Sequence, residues 1–230
     1  MKSIIFDAGP IISLTMNNLL WLLNPLKKQF NGDFYISKEI KKELVDKPLN
    51  TKRFEFEALQ VLQYIKSNAL RVIVNEDILK KRDMLLNLAN NIFKAKGRWI
   101  KIVHTGEIEG IASAIYLNSS AFVVDERTTR LLIENPSNLA KILKHKLHVK
   151  LTINKNNLRK FRKETENIKM IRSAELVAIA YELGLLDKYI PNIPNPKRTL
   201  LDSILWGVKL DGCAVSKKEI EWIMSIENKK

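Results

Sequence analysis

The sequence Ser-Ile-Ile-Phe-Asp-Ala-Gly-Pro-Ile-Ile-Ser-Leu occupies residues 3–14 and decides the fold class. A short run of β-branched and aromatic residues ends at one carboxylate, Asp7, and an apolar segment with helical spacing follows Gly9 and Pro10. This pattern predicts a buried strand, a tight turn and a helix. Ligands bind beyond the carboxyl ends of the strands in an open parallel sheet, so we expect Asp7 to face a binding crevice. The alternative at this point is that Asp7 only caps the helix.

Composition limits the classes of protein and of metal site. The chain has 230 residues, 46% of them hydrophobic, which is enough for one large α/β domain or one domain with a helical extension. The single cysteine, Cys213, excludes an internal disulfide and a cysteine-rich zinc site, and the three histidines are scattered. Any metal must therefore be held by oxygen ligands, which favours Mg²⁺ or Mn²⁺ over Zn²⁺.

Charge points to a polyanionic partner. The net charge is +14, from 39 basic and 25 acidic side chains, and nucleic acid is the usual partner of such a surface. Genome composition can also enrich lysine, so the placement of the charge is more informative than its total. Between residues 141 and 172 only Glu164 and Glu166 oppose a long series of basic side chains. We expect this segment to contact RNA; an ordinary solvated surface is the alternative.

Hydropathy and the first residues predict the location. No apolar run reaches the roughly 18 residues that a membrane-spanning helix needs. The first residues contain one lysine and then the predicted strand, with no pattern of a signal peptide. We therefore expect a cytoplasmic protein without a membrane partner.

Periodicity along the chain predicts alternating strands and helices. Residues 34–36 and 121–124 are predicted strands, and Ser37 is a predicted helix cap. Residues 10–30 predict one long helix or two with a break at Pro25, and Thr105 is predicted to cap a helix. Further predicted helices cover residues 38–45, 54–68, 76–94, 173–183, 199–210 and 216–226.

These elements predict a three-layer α/β/α fold. Its central, mostly parallel twisted sheet is Rossmann-like, with additional helices at the C-terminal end. We expect residues 1–136 to form the core. Residues 137–230 are expected to form a basic segment and closing helices packed on the same domain.

Four acidic residues are expected at one edge of this sheet. Two predicted strands end at Asp7 and Asp125, and two predicted helices carry Glu43 and Glu107 in their early turns. Helix N-termini follow strand C-termini at the same edge when crossovers are right-handed. Buried carboxylates a few ångströms apart repel one another, so their shared ionisation requires a cation. The pattern therefore indicates a divalent-metal site.

The same four segments resemble the motifs of the PIN-domain nuclease family, most closely its VapC-like branch. Ile-Ile-Phe-Asp-Ala-Gly-Pro-Ile-Ile contains Asp7, and Ile-Lys-Lys-Glu-Leu contains Glu43. Gly-Glu-Ile-Glu-Gly-Ile-Ala contains Glu107, and Val-Val-Asp-Glu-Arg contains Asp125. The resemblance is strongest over residues 3–46 and 104–130, and the final helices resemble the closing helices of that branch.

The resemblance implies a metal-dependent endoribonuclease. Asp7, Glu43, Glu107 and Asp125 would be the catalytic acids that hold Mg²⁺ or Mn²⁺, with Glu109 and Glu126 as second choices. It also implies an RNA substrate and leaves open an antitoxin-type protein partner, as in a toxin–antitoxin pair, and a homodimer. The residues expected to contact RNA are Arg127, Lys155, Arg159, Lys160, Arg162 and Lys163.

Two other functions are compatible with parts of this pattern. A non-catalytic RNA-binding protein could retain the same fold, because a fold does not fix a function. A phosphatase of the haloacid dehalogenase type also begins with a strand-end aspartate. That class needs a second aspartate two residues later, where this chain has Gly9.

Overall fold

The computed structural model describes residues 2–190 and 192–227 and confirms the expected three-layer α/β/α fold. Strands, numbered in chain order, are β1 (Ser3–Phe6), β2 (Asp33–Ser37), β3 (Arg71–Ile73), β4 (Phe93–Ala95), β5 (Arg98–Trp99), β6 (Ala121–Val123), β7 (Leu151–Ile153) and β8 (Met170–Ile171). Helices are α1 (Ala8–Met16), α2 (Leu23–Phe30), α3 (Lys38–Lys41), α4 (Glu55–Lys66), α5 (Glu76–Asn90), α6 (Thr105–Tyr116), α7 (Arg127–Glu134), α8 (Pro136–Leu147), α9 (Lys155–Thr165), α10 (Ser173–Glu182), α11 (Pro196–Leu210) and α12 (Lys217–Glu227). Short 3₁₀ turns cover Leu20–Leu22, Pro48–Asn50 and Asp187–Tyr189, and a π-helical turn covers Lys42–Asp46.

The main sheet has the strand order β3-β2-β1-β6-β8. Every neighbouring pair in it is parallel, and Phe6 of β1 lies opposite Val123 of β6. All five carboxyl ends therefore point to the same edge, which holds the candidate site. A second, antiparallel sheet with the order β5-β4-β7 pairs residues 93–95 with residues from the basic segment.

Each face of the main sheet supports its own hydrophobic core. Ile4 and Phe6 of β1 pack on one face with α1, α2, α10 and α11, whereas Ile5 packs on the other with α5, α6 and α9. This division follows from the two-residue period of a strand. Helix α6 lies close to the sheet because Gly110 has no side chain; a Cβ there would stand 2.7 Å from a ring carbon of Phe122. Close packing of α6 brings its first turn to the carboxyl edge.

The break in the first helical region differs from the prediction. We expected it at Pro25, and this expectation is wrong. Helix α1 ends at Met16, and the chain turns at Asn18, which has a φ of 55°. Pro25 instead lies in the first turn of α2, where a helix does not use the N–H that proline lacks.

Two further boundaries also differ. The helix predicted for residues 76–94 ends at Asn90, because Phe93 and the next two residues form β4. The cap of α6 is His104 rather than Thr105. The side chain of Glu107 accepts a hydrogen bond from the backbone N–H of His104 at 2.7 Å, which closes the first turn.

Residues 137–190 and 192–227 contribute directly to the central structure. Strand β8 is the fifth strand of the main sheet, and buried side chains of α10, α11 and α12 share one core with β1 and β2. Helix α9 and strand β8 were not predicted from the sequence. In the part of the chain that the structure describes, no helix has the length and apolar character needed to cross a membrane.

Candidate metal site at the carboxyl edge of the sheet

Asp7 and Asp125 lie at the ends of adjacent parallel strands, as expected. Asp7 directly follows β1, and its backbone N–H donates to the carbonyl of Val123 at 2.9 Å. Gly9 lies between the two carboxyl groups. A Cβ at Gly9 would stand 3.4 Å from Cβ of Asp125 and 4.0 Å from Oδ2 of Asp7. The tight turn therefore lets α1 begin beside both aspartates.

Asp7 is a buried carboxyl group with acidic neighbours. Its residue is 6% exposed, and although it precedes α1 its side chain accepts no capping hydrogen bond. Burial and the negative charges of Glu107, Glu43 and Asp125 raise the pKa of Asp7 to about 7, against a lowering contribution from the N–H of Ala8. The charges of all three other predicted acids therefore contribute to the raised pKa of Asp7.

Asp125 has a different environment, because hydroxyl and amide donors surround it. Its Oδ2 accepts from Ser13 Oγ at 3.0 Å and from Ser173 Oγ at 2.8 Å, and its Oδ1 accepts from the Ser173 N–H at 2.8 Å. Cys213 lies against the same group. Burial first, and then the charge of Asp125, raises the pKa of Cys213 to about 12, so the thiol stays protonated at neutral pH. These contacts fix the orientation of Asp125.

Glu107 and Glu43 approach Asp7 from two helical segments. Glu107 is half-buried in the first turn of α6. Burial raises the pKa of its carboxyl group, and the hydrogen bond from the His104 N–H opposes this rise without cancelling it. Glu43 is exposed on the π-helical turn, and its Oε2 would stand 3.7 Å from a Cβ at Gly106. Single π turns inside helices occur often at functional sites because they change the direction of a side chain.

The two second-choice acids already serve other roles. Glu109 is 2% exposed; its Oε1 accepts from the N–H of Glu39 at 3.1 Å, and its Oε2 pairs with Arg82 at 2.9 Å. Glu109 thus joins α3, α5 and α6. Glu126 caps α7 by accepting from the N–H of Thr129 at 2.6 Å. Both residues have structural partners that account for their position.

The acids suit a metal by charge and donor type, but they do not converge. Among residues 2–190 and 192–227, no group of three or more His, Cys, Asp or Glu side chains stands close enough to hold an ion. Asp125 is turned toward its serine donors, and Glu107 toward the His104 N–H. Carboxylate oxygens are nevertheless the ligands that Mg²⁺ and Mn²⁺ prefer. An ion could therefore be held there only after a change in side-chain orientation.

The predicted RNA-binding residues are exposed, and most of them share one surface. Lys155, Arg159, Arg162 and Lys163 line a groove of about 750 Å³ between α7 and α9. Glu134 and Glu166 also line this groove. Lys160 is exposed on α9 but does not belong to its wall, and Arg127 is exposed where α7 begins, two residues after Asp125. The positive groove is therefore a second surface, separate from the acidic edge.

Sequence reasoning missed the two serines that hold Asp125. The sequence predicts Ser13 only as part of the first helical region and Ser173 only as the first residue of a later helix. A hydroxyl on the buried face of an apolar helix was the available signal for Ser13. Ser173 gave no such signal, because its contact spans 48 residues of sequence.

Comparisons of the chain with protein-family models, curated proteins and solved structures gave no match. The resemblance to PIN-domain nucleases therefore stays a prediction from the four sequence motifs.

Proposed function

We propose that this protein is a metal-dependent endoribonuclease that hydrolyses RNA phosphodiester bonds at the carboxyl edge of its main sheet. The observation that carries the proposal is the environment of Asp7. It is buried, and its pKa is raised by burial and by three other carboxylates. Such a concentration of negative charge weakens the folded state unless a cation neutralises it. Binding of Mg²⁺ or Mn²⁺ at this edge would neutralise the repulsion among these carboxylates.

The four acids share one task in the proposed reaction, although their surroundings differ. Asp7, Glu43, Glu107 and Asp125 would hold the metal, which supplies activation of a water molecule and neutralisation of charge on the phosphate. Asp125 provides a fixed oxygen pair because Ser13 and Ser173 hold it. Glu43 is exposed and provides a ligand that can turn. Basic side chains outside the acidic edge would position the RNA through its phosphates.

The partners and location belong to the same proposal. The net charge of +14 and the groove between α7 and α9 support RNA as the partner. The cytoplasmic location follows from the sequence pattern, and an antitoxin-type partner and a homodimer follow from the family resemblance alone.

Replacing Asp7 tests the proposal most directly. Asp7→Asn keeps the size of the side chain and removes the charge that would hold the metal. We expect Mg²⁺- or Mn²⁺-dependent RNA cleavage to fall by about a thousandfold or more, since groups that act as one unit fail together. The matched control is Glu39→Gln, because within the described residues the side chain of Glu39 forms a surface pair with Lys42 at 3.4 Å and no other polar contact. Cleavage by Asp7→Asn at the wild-type rate, in a preparation free of other nucleases, would overturn the proposal.

A second function is favoured by the lack of convergence among the acids. In the described residues the carboxylates do not form a ready metal site, which fits an RNA-binding protein that does not cut. The same experiment separates the two functions. If wild-type protein cleaves no RNA with either metal, and Asp7→Asn binds RNA as wild type does, the binding function replaces the nuclease.

A further inference from the structure

An apolar cavity adjoins the acidic edge at Glu43. It has a volume of about 310 Å³ and lies between α1, the π-helical turn and α4. Cavities that bind small organic groups have volumes of this order and mainly apolar walls. The wall is formed by Ile12, Thr15, Met16, Glu43, Leu44, Pro48, Phe54, Glu57 and Val61. Glu43 belongs both to the cavity wall and to the four acids of the proposed metal site. A molecule in the cavity therefore lies next to a proposed metal ligand.

Phe54 holds an unusual conformation at this cavity. Its φ is 63°, it directly precedes α4, and 44% of it is exposed. A bulky residue in the left-handed region is rare and costs free energy, and such strain clusters at ligand sites. The guanidinium of Arg53 lies 4.7 Å from the centre of the Phe54 ring. The local backbone therefore places a flat aromatic ring, with a cation beside it, in the cavity wall.

The polar groups of the wall accept hydrogen bonds but offer no free side-chain donor. Glu43 and Glu57 are the two carboxylates of the wall, and no hydrogen bond or salt bridge engages either side chain within the described part of the chain. The hydroxyl proton of Thr15 is already donated to the carbonyl of Ile11 at 2.7 Å. An ionised carboxylate only accepts. An occupant with hydrogen-bond donors on its edge and apolar faces therefore complements this wall.

We propose that this cavity binds one guanine base of the RNA strand, with Phe54 stacked on the base and Glu57 accepting from its edge. Guanine presents two adjacent donors, the ring N1–H and the exocyclic amino group, which match the two oxygens of one carboxylate. Adenine and cytosine place an acceptor beside their amino group, and uracil has one donor between two acceptors. Single-stranded RNA is commonly read by stacking on aromatic rings and by contacts to this base edge.

The cavity's position favours RNA over a protein segment as the occupant. This inference rests on the proposed function, since a strand cut beside Glu43 must pass the opening of the cavity. A flat base also matches the single aromatic ring and the unpaired carboxylates better than an aliphatic side chain does. Binding of a protein partner becomes an outcome of the test.

The test measures binding of GMP, AMP, CMP and UMP to the full chain in EDTA, by calorimetry or ligand-observed NMR. We expect GMP to bind at least about tenfold more tightly than the other three, as expected for a base read by an edge contact. Phe54→Gly should weaken GMP binding by about tenfold or more, the range of one lost stacking contact. Glycine adopts positive φ without strain, so this variant should unfold at no lower temperature than wild type. Glu57→Gln should remove the preference for GMP.

Phe56→Ala is the matched control, because Phe56 is 68% exposed and does not line the cavity. Its GMP affinity should stay within about twofold of wild type. Equal binding of all four nucleotides, no binding of GMP, or equal loss in both phenylalanine variants would overturn the guanine site. It would also be overturned if Phe54→Gly changed only the oligomeric size, since a protein contact would then use this face. Because EDTA removes divalent metal ions, this binding test does not depend on catalysis. GMP binding without RNA cleavage would support the guanine site and contradict the nuclease. RNA cleavage without GMP binding would support the nuclease and contradict the guanine site.

Discussion

The ends of β1 and β6 hold two aspartates with the same burial and opposite surroundings. Asp7 is 6% exposed and Asp125 is 3% exposed. Asp125 receives hydrogen bonds from Ser13 and Ser173, whereas Asp7 faces the negative charges of other acids, which help raise its pKa to about 7. Two buried carboxyl groups at neighbouring strand ends therefore differ in what surrounds them. Hydroxyl and amide donors surround Asp125, whereas acidic side chains act on Asp7.

Helix α6 repeats the contrast within one turn. Glu109 is paired with Arg82 and the N–H of Glu39, so its charge is compensated inside the fold. Glu107, two residues earlier, has its pKa raised by burial, and its negative charge contributes to the raised pKa of Asp7. The sequence motif distinguishes Glu107 from Glu109 only by position. Their contacts in the structure distinguish them by environment.

The largest expected effect on stability concerns Asp7 and its pH dependence. Its folded pKa of about 7 lies above the ordinary 3.8, so the stability contributed by its protonated form is complete below about pH 4 and is lost as the pH rises through 7. Through Asp7, wild-type protein should lose about 2–3 kcal/mol between pH 5 and pH 8, and Asp7→Asn should lack this loss. At pH 8 the variant should be more stable by about 4 kcal/mol, because the pKa of Asp7 rises from 3.8 to about 7 on folding.

Urea unfolding of both proteins at pH 5 and pH 8, in EDTA, measures these differences. Parallel changes in the two proteins would mean that Asp7 is not the titrating group, and the contrast between the two strand ends would be lost.

The next effect, of opposite sign, is expected at Asp125. Asp125→Asn replaces an acceptor oxygen by an amino group, which then faces the serine donors. Since a buried donor without a partner costs free energy, we expect the unfolding free energy at pH 8 to fall by about 2 kcal/mol. Urea unfolding beside Asp7→Asn provides the comparison. A stabilised Asp125→Asn would show that both aspartates are strained alike.

The smallest of these effects separates the two glutamates of α6. Glu109→Gln removes the charge that balances Arg82, which also contacts Asp83 and is partly exposed, so a loss of about 1–2 kcal/mol is expected. Glu107→Gln should change the unfolding free energy by less than about 1 kcal/mol in either direction, because an uncharged amide of similar size replaces a half-buried carboxylate. Thermal unfolding of the two variants side by side measures this. Similar losses in the two variants would mean that Glu107, like Glu109, stabilises the fold through its contacts.

The parts of the fold that sequence predicted are those with a strong local pattern. Residues 3–14 and 121–125 each combine an apolar run with an aspartate at its end, and the structure has β1 and β6 there. The same pattern placed Asp7 and Asp125 at one edge. Strand β8 has only two residues, between Lys169 and Arg172, and carries no period that could be read. Its position depends on pairing with β6, which is a contact distant in sequence.

Helix α9 escaped prediction for a related reason. Its apolar stripe is reduced to Leu158 and Phe161 among mostly charged and amide side chains, so composition concealed the helical period. The roles of the glutamates on α6 were equally hidden. Arg82 lies 27 residues before Glu109 on another helix, and only the packed structure brings the two side chains together.

The order of residues along the chain has a consequence for biosynthesis. A ribosome makes β1 and β6 well before Ser173, so during translation Asp125 lacks two of its donors and the edge of β6 is still unpaired. The backbone N–H of Ala214, which donates to the carbonyl of Asp125 at 3.1 Å, emerges later still. A chain truncated after residue 136 would therefore lack both hydrogen bonds from Ser173 to Asp125, the bond from Ala214 and the pairing of β6 with β8. Asp125 would keep the hydrogen bond from Ser13, so its orientation would be less restricted than in the longer chain.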